Sequence, residues 1–88
     1  MTWRIEWSRT ASKAFLKLDI REQRRIARYL QERVAVLDDP RSLGRVLKGK
    51  RQGLWRYRVG DYRLLCLIED GRLRILVLQV GHRKEVYR

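Results

Sequence analysis

Between residues 54 and 80 the chain carries three runs rich in Val, Ile, Leu, Trp and Tyr, broken by Gly60-Asp61 and Asp70-Gly71. Such runs read as strands, and a two-residue break of Gly and Asp between them is the signal of a tight hairpin. Segments 54–59, 62–69 and 72–80 are therefore expected to form a three-stranded antiparallel meander. Upstream, Trp3, Ile5 and Trp7 alternate with Arg4 and Glu6, the period of a short half-buried strand. Ala11, Ala14, Phe15 and Leu18 then fall on one stripe of an amphipathic helix. Asp19, with Glu22 three residues on, reads as the cap of a second helix whose inner face is Ile26, Leu30, Val34 and Leu37. Pro40, after Asp38 and Asp39, closes that pattern. The expectation is an α+β fold: a short N-terminal strand, a helical hairpin, then the meander.

The first hairpin fixes a register. With Gly60 and Asp61 as the loop, Val59 opposes Tyr62, Arg58 opposes Arg63, and Arg56 opposes Leu65. Alternation then puts Trp55, Tyr57, Tyr62, Leu64 and Cys66 on one face and Arg56, Arg58 and Arg63 on the other. Like charges directly opposite each other destabilise a sheet by roughly 0.2–1 kcal/mol, so folding alone gives no reason to oppose Arg58 and Arg63. An anionic ligand gives one. The same face also carries Leu54, Leu67, Leu76 and Leu78, so part of it is expected to be covered.

Eighty-eight residues make one domain, 1–88, and 22 Lys+Arg against 10 Asp+Glu give a formal net charge of +12. That charge favours polyanionic partners, nucleic acid first and an anionic membrane surface second. No stretch approaches the length of an apolar membrane span, and no signal-like apolar run opens the sequence, so a cytoplasmic protein without a membrane partner is expected. Cys66, the single cysteine, reads as an inert buried thiol. One His and one Cys do not build a zinc site, and no Gly-rich phosphate loop is present, so neither metal nor cofactor is expected.

Arginine's planar fork clamps phosphate in a bidentate manner and stays charged at any physiological pH, which suits Arg56, Arg58 and Arg63 to a phosphodiester. Spacing alone leaves open whether they bind a ligand or solvate an edge. The segment GHRKEVYR, 81–88, adds a titrating imidazole (His82), another cation (Arg83) and a phenol (Tyr87) close to the last strand, with Gly81 permitting a sharp turn after Val80. Lys48, Lys50 and Arg51 lie in the loop before residue 54, as a rim for a nucleic-acid backbone or as a solvated loop. Arg21, Arg24, Arg25, Arg28 and Arg33 are read as the solvated face of the second helix. Trp3, Trp7, Trp55 and Tyr57 can stack bases but are assigned to the core.

Three motifs, Leu47-Lys48-Gly49, the WRYRV and DYRL hairpin, and VGHRKEVY near residue 88, give the chain a close resemblance to the RelE branch of the RelE/ParE toxins of bacterial toxin–antitoxin systems. The resemblance covers essentially the whole chain. It implies a metal-independent endoribonuclease that cuts mRNA in the ribosomal A site and is held inactive by a cognate antitoxin. That antitoxin is expected to supply an acidic or amphipathic helix. Residue by residue it implies a site of Arg56, Arg58, Arg63, Arg83 and Tyr87, with His82 as a second-rank candidate. In this reading Arg58 and Arg63 stabilise the phosphorane, Arg56 assists, Tyr87 orients or deprotonates the 2′-OH, and Arg83 sits by the leaving oxygen. RelE itself has lysines at the positions of Arg56 and Arg58; lysine can give up a proton and arginine effectively cannot, so a base role at those positions does not transfer. Two other readings remain: a ParE-like inhibitor of DNA gyrase, and a basic module that binds RNA or antitoxin without catalysis.

Overall fold

The computed structural model describes residues 2–49 and 53–82. Strand β1 (Arg4–Trp7) leads into α1 (Arg9–Leu16) and α2 (Ile20–Arg28), which continues as a wider π turn at Tyr29–Val34. A 3-10 turn (Pro40–Leu43) precedes β2 (Arg45–Val46), and β3 (Trp55–Val59), β4 (Tyr62–Glu69) and β5 (Arg74–His82) follow. The strands form one sheet in the order β1-β5-β4-β3-β2, with β1 parallel to β5 and the remaining pairs antiparallel. The expected meander is thus the centre of a five-stranded mixed sheet, widened at one edge by β1 and at the other by β2.

Local chemistry accounts for the helices. The Ser8 hydroxyl oxygen accepts from the Ala11 N–H at 3.1 Å and caps α1, while the hydroxyl donates to the Leu78 carbonyl at 3.0 Å. The Asp19 carboxylate accepts from the Arg21 N–H at 2.7 Å and caps α2, as the sequence predicts. Gln23 donates to the carbonyls of Leu16 (3.3 Å) and Leu18 (2.9 Å) and fastens the corner between the helices. The π turn closes with the Ala35 N–H bonded to the Leu30 carbonyl at 2.8 Å. The neighbours Val34 and Ala35 at its end are both fully buried.

The helices cover one face of the sheet. Ala11, Ile26, Leu30 and Val34 from the helical layer pack with Tyr57, Leu64, Cys66, Ile75 and Val77 from the strands, all fully buried. Each such Leu or Ile contributes about 1.5–3 kcal/mol by leaving water. Trp3 is buried, and Trp7 and Trp55 are half-buried against the same cluster, so the tryptophans are core residues. No helix among the described residues is long and apolar enough to cross a membrane.

Two boundaries differ from the sequence reading. Asp70-Gly71 do not form a two-residue hairpin loop; residues Asp70–Arg72 make a 3-10 turn and Leu73 takes a left-handed conformation at φ 48° before β5 begins at Arg74. The cause is the role of Asp70, whose carboxylate oxygens accept from the two terminal nitrogens of Arg41 at 3.0 and 2.6 Å. Leu73 meanwhile donates to the Asp70 carbonyl and accepts from the Arg4 N–H, which ties the longer loop to β1. The second difference is at the other end of β5. Gly81 does not turn the chain: the strand continues through His82, with Gly81 paired to Arg63 and His82 to Tyr62. A bulge between Leu65 and Cys66 and their partners on β5 sets Gln79 opposite Leu65 but Val77 opposite Cys66. The Val77 and Leu78 carbonyls at this irregularity are taken by the Ser8 N–H and hydroxyl.

Two expected outcomes follow from the core. The buried Tyr57 hydroxyl donates to the Pro40 carbonyl at 2.7 Å, and Tyr57→Phe is expected to lower unfolding free energy by about 1–2 kcal/mol by leaving that carbonyl unpaired, as read in urea titrations. Burial pushes the Cys66 thiol up to about 12, so iodoacetamide at pH 8 should leave the folded protein unmodified and alkylate it only in denaturant, as followed by mass spectrometry.

Candidate active site on the arginine face

The β3–β4 register is the one the sequence predicts: Val59 with Tyr62, Arg58 with Arg63, Tyr57 with Leu64, Arg56 with Leu65. Gly60, at φ 61°, supplies the positive backbone angle that the two-residue loop demands. Because Tyr57, Val59 and Leu64 are buried under the helices, Arg56, Arg58 and Arg63 share the opposite face. Strand β2 adds Arg45, which pairs with Arg56 and therefore lies on the same face. Two rows result across the sheet: Arg45, Arg56, Leu65 and Gln79, then Arg58, Arg63 and Gly81.

Leu43, Arg45, Arg56, Arg58 and Arg63 line a cleft of about 360 Å³ on this face. No carboxylate is among these residues. At the other end of the strands, Arg41 binds Asp39 and Asp70, Arg74 binds Glu6 and Glu69, and Arg4 approaches Glu6. Hydrogen bonding from Arg41 holds the Asp70 carboxyl below its ordinary value. Arg63 buries its Nε and Nη1 atoms, whereas Arg58 is exposed. Gly81, opposite Arg63, presents no side chain to crowd that guanidinium. Leu65 is almost fully buried on this face and Leu54, Leu67, Leu76 and Leu78 are half-buried, so apolar surface borders the cations.

The cleft can bind a phosphodiester through several guanidinium groups and stabilise added negative charge at phosphorus. None of its described residues exchanges a proton near neutral pH. His82 does not join it: opposite Tyr62, it lies on the helix-side face, its ring 6.0 Å from the Tyr62 ring in an edge-on arrangement. The strand runs straight through Gly81, and alternation turns the imidazole to the face away from Arg56, Arg58 and Arg63. Arg83 and Tyr87 lie outside the described residues, as do Lys50 and Arg51. Lys48 is exposed just beyond β2, in a loop whose base is closed by the Leu47 N–H donating to the Leu54 carbonyl at 3.0 Å. Among the described residues no group of three His, Cys, Asp or Glu side chains is placed to hold a metal ion.

Arg45 is the site residue the sequence reading lacks. A two-residue strand shows no alternation, but counting back from Leu54 across the 48–53 loop would have set Val46 opposite Trp55 and Arg45 opposite Arg56.

Comparison with known proteins gives the family and the fold. The profile of the family described as ParE toxin of type II toxin–antitoxin system, parDE, matches residues 5–87. Toxin RelE of Mycobacterium tuberculosis is 36% identical over 53 residues, covering 60% of this chain and 55% of its own. Toxin RelG of the same organism is 36% identical over 50 residues, covering 57% and 58%. The matches thus span little more than half the length of these relatives. Among solved structures, the toxin–antitoxin complex RelBE2 from Mycobacterium tuberculosis superposes with a TM-score of 0.85 at 25% identity, covering 97% of this chain and 95% of that one. The isolated Escherichia coli RelE toxin superposes with a TM-score of 0.71 at 21% identity, covering 97% and 90%, a likeness of fold.

Replacing Arg58 with alanine is expected to leave thermal stability unchanged or slightly raised, since it relieves the Arg58–Arg63 repulsion. The same change should weaken binding of a single-stranded oligoribonucleotide and flatten the slope of log affinity against log salt by about 0.7.

Proposed function

Since the chain belongs to the RelE/ParE superfamily of type II toxin–antitoxin toxins, on its RelE side, we propose that it is a metal-independent endoribonuclease that cuts mRNA in the ribosomal A site. The observation that carries this reading is the convergence of Arg45, Arg56, Arg58 and Arg63 in one cleft on one sheet face. Register and burial hold these cations together: Arg58 stands directly opposite Arg63, and Arg45 opposite Arg56, on the face away from the helices.

In the proposed reaction the ribose 2′-oxygen attacks the adjacent phosphorus and the bond from phosphorus to the 5′-oxygen breaks. The products are a 2′,3′-cyclic phosphate and a 5′-hydroxyl end. Arg58 and Arg63 bind the non-bridging oxygens and stabilise the phosphorane, and Arg56 and Arg45 hold the flanking phosphate. Tyr87 orients the 2′-hydroxyl and takes its proton; nearby guanidinium groups favour the phenolate it needs. Arg83 stabilises charge on the departing 5′-oxygen, which takes a proton from water, and Tyr87 gives up its acquired proton to solvent. Lys48, with Lys50 and Arg51, serves as a rim that contacts the RNA backbone or the ribosome. The enzyme thereby depends on alignment and charge rather than on a strong base, and a ribosome that orders the mRNA strand supplies much of that alignment.

The cognate antitoxin of this proposal lays an acidic or amphipathic helix over the arginine face, neutralising the cations and covering Leu54, Leu67, Leu76 and Leu78. The RelBE2 relative was solved as a toxin–antitoxin complex, which supports such a partner. The ParE name of the matching family profile keeps a gyrase-directed reading as the competitor.

Primer extension on an mRNA translated in a purified system, with ribosomes present or omitted, tests the proposal. Cuts within codons are expected only with ribosomes, and Tyr87→Phe should reduce them at least about a hundredfold, as for loss of a positioned proton acceptor, with antitoxin binding intact. Intact mRNA in both arms from folded, still toxic protein would transfer the reading to gyrase. Full cutting by the Tyr87→Phe variant would remove Tyr87 from the mechanism.

A further inference from the structure

A second basic cleft, of about 590 Å³, runs along α2 and ends at the β3–β4 hairpin, lined by Arg21, Arg24, Arg25 and Arg28 together with Arg58 and Gly60. The sequence reading treats these helix arginines as a solvated face. Three observations speak against that.

The first is pairing. Arg21, Arg24, Arg25 and Arg28 stand three and four residues apart, the spacings at which like charges on a helix repel. Yet no ion pair relieves them among the described residues, whereas Arg4, Arg41 and Arg74 are all paired. Glu32 is the one carboxylate lining the cleft among its described residues. The second is positioning. Arg25 lies over the bare backbone of Gly60: a methyl group there would stand 2.7 Å from Arg25 Nη1 and 3.0 Å from its Cζ. Gly60 thus serves the turn geometry and also seats a helix guanidinium against the hairpin that carries Arg58. The third is continuity. Arg58 lines both this cleft and the one on the arginine face, so a basic track passes from the sheet, around the hairpin, to α2.

We propose that the α2 cleft is a second RNA-backbone site, which takes ribose-phosphate chain continuing past Arg58 from the arginine face. This rests on the reading of that face as an RNA site. Phosphates repeat at every nucleotide and match a row of planar forks, and Tyr29, half-buried in the lining, offers a base one aromatic face. An acidic amphipathic segment of a protein fits less well, because it needs apolar anchor pockets at helical spacing, and among the described lining residues Val59 is buried and only Tyr29 remains.

The test is fluorescence anisotropy with a labelled single-stranded RNA of mixed sequence, about 20 nucleotides long, over a salt series. It compares the wild type with R24E/R28E, R24Q/R28Q, R56A/R63A and R9E/K13E. The last places the same charge reversal on the exposed face of α1. Thermal melts confirm folding, and the glutamine pair stands in if the reversal unfolds the protein. The expected result is an affinity loss of at least tenfold for the α2 variants against less than threefold for R9E/K13E. Loss of two contacts should also flatten the salt slope of R24Q/R28Q by about 1.4. Equal losses in the α1 and α2 reversals would reduce the effect to net charge and overturn the proposal. Wild-type binding by the α2 variants, with loss in R56A/R63A, would overturn it while leaving the arginine-face reading standing; loss in neither would remove both. Displacement of the RNA by polyglutamate from the wild type but not from R24Q/R28Q would reassign the cleft to an acidic protein segment.

Discussion

The Gly60–Asp61 turn holds Val59 opposite Tyr62 and so decides the face of every side chain from Trp55 to Cys66. Two residues leave the hairpin no slack, and the positive φ of Gly60 meets the twist such a loop requires. A slip of one residue would drive Arg56 and Arg58 under Ile26 and Leu30 and expose Tyr57, which the core would not tolerate. Burial of Tyr57, Val59, Leu64 and Cys66 therefore pins Arg56, Arg58 and Arg63 together on the other side. The core and the site are two outcomes of one register.

Charge distribution is the second organising feature. A chain with a formal net charge of +12 has few carboxylates to place, and here Asp39, Asp70, Glu6 and Glu69 gather around Arg41, Arg74 and Arg4 at the Asp70 end of the strands. That end becomes a neutralised, structural region. The Gly60 end carries arginines on both sides of the hairpin, with Arg45, Arg56 and Arg63 on the sheet face, the α2 arginines behind, and Arg58 common to both clefts. Such an arrangement favours a long polyanion over a compact one.

Much of this is legible in the sequence alone. The alternation of Trp3, Ile5 and Trp7, the Asp19 cap, the stripe through Ile26, Leu30 and Val34, and the hairpin register all rest on local rules that tertiary contacts reinforce. The features that escaped depend on distant partners. Strand β2 is too short to alternate and exists through its pairing with Trp55 and Arg56. Asp70-Gly71 looked like a tight loop, but Arg41, 29 residues upstream, claims the Asp70 carboxylate and the turn lengthens. Gly81 looked like a pivot, yet pairing with Arg63 keeps β5 extended and carries His82 to the face away from the arginines. The basic row on α2 looked like solvated surface because a helical pattern does not reveal which hairpin it will face.

The central claim is that the register-defined arginine face performs phosphoryl chemistry, and the rate of mRNA cutting in a single turnover on stalled ribosomes tests it most directly. The account predicts that Arg63→Ala, folded and still bound to the ribosome, cuts at least about a hundredfold more slowly, as expected for loss of a transition-state charge partner. It also predicts that products formed by the wild type carry a 2′,3′-cyclic phosphate. An Arg63→Ala variant that binds the ribosome and cuts at the wild-type rate would contradict it.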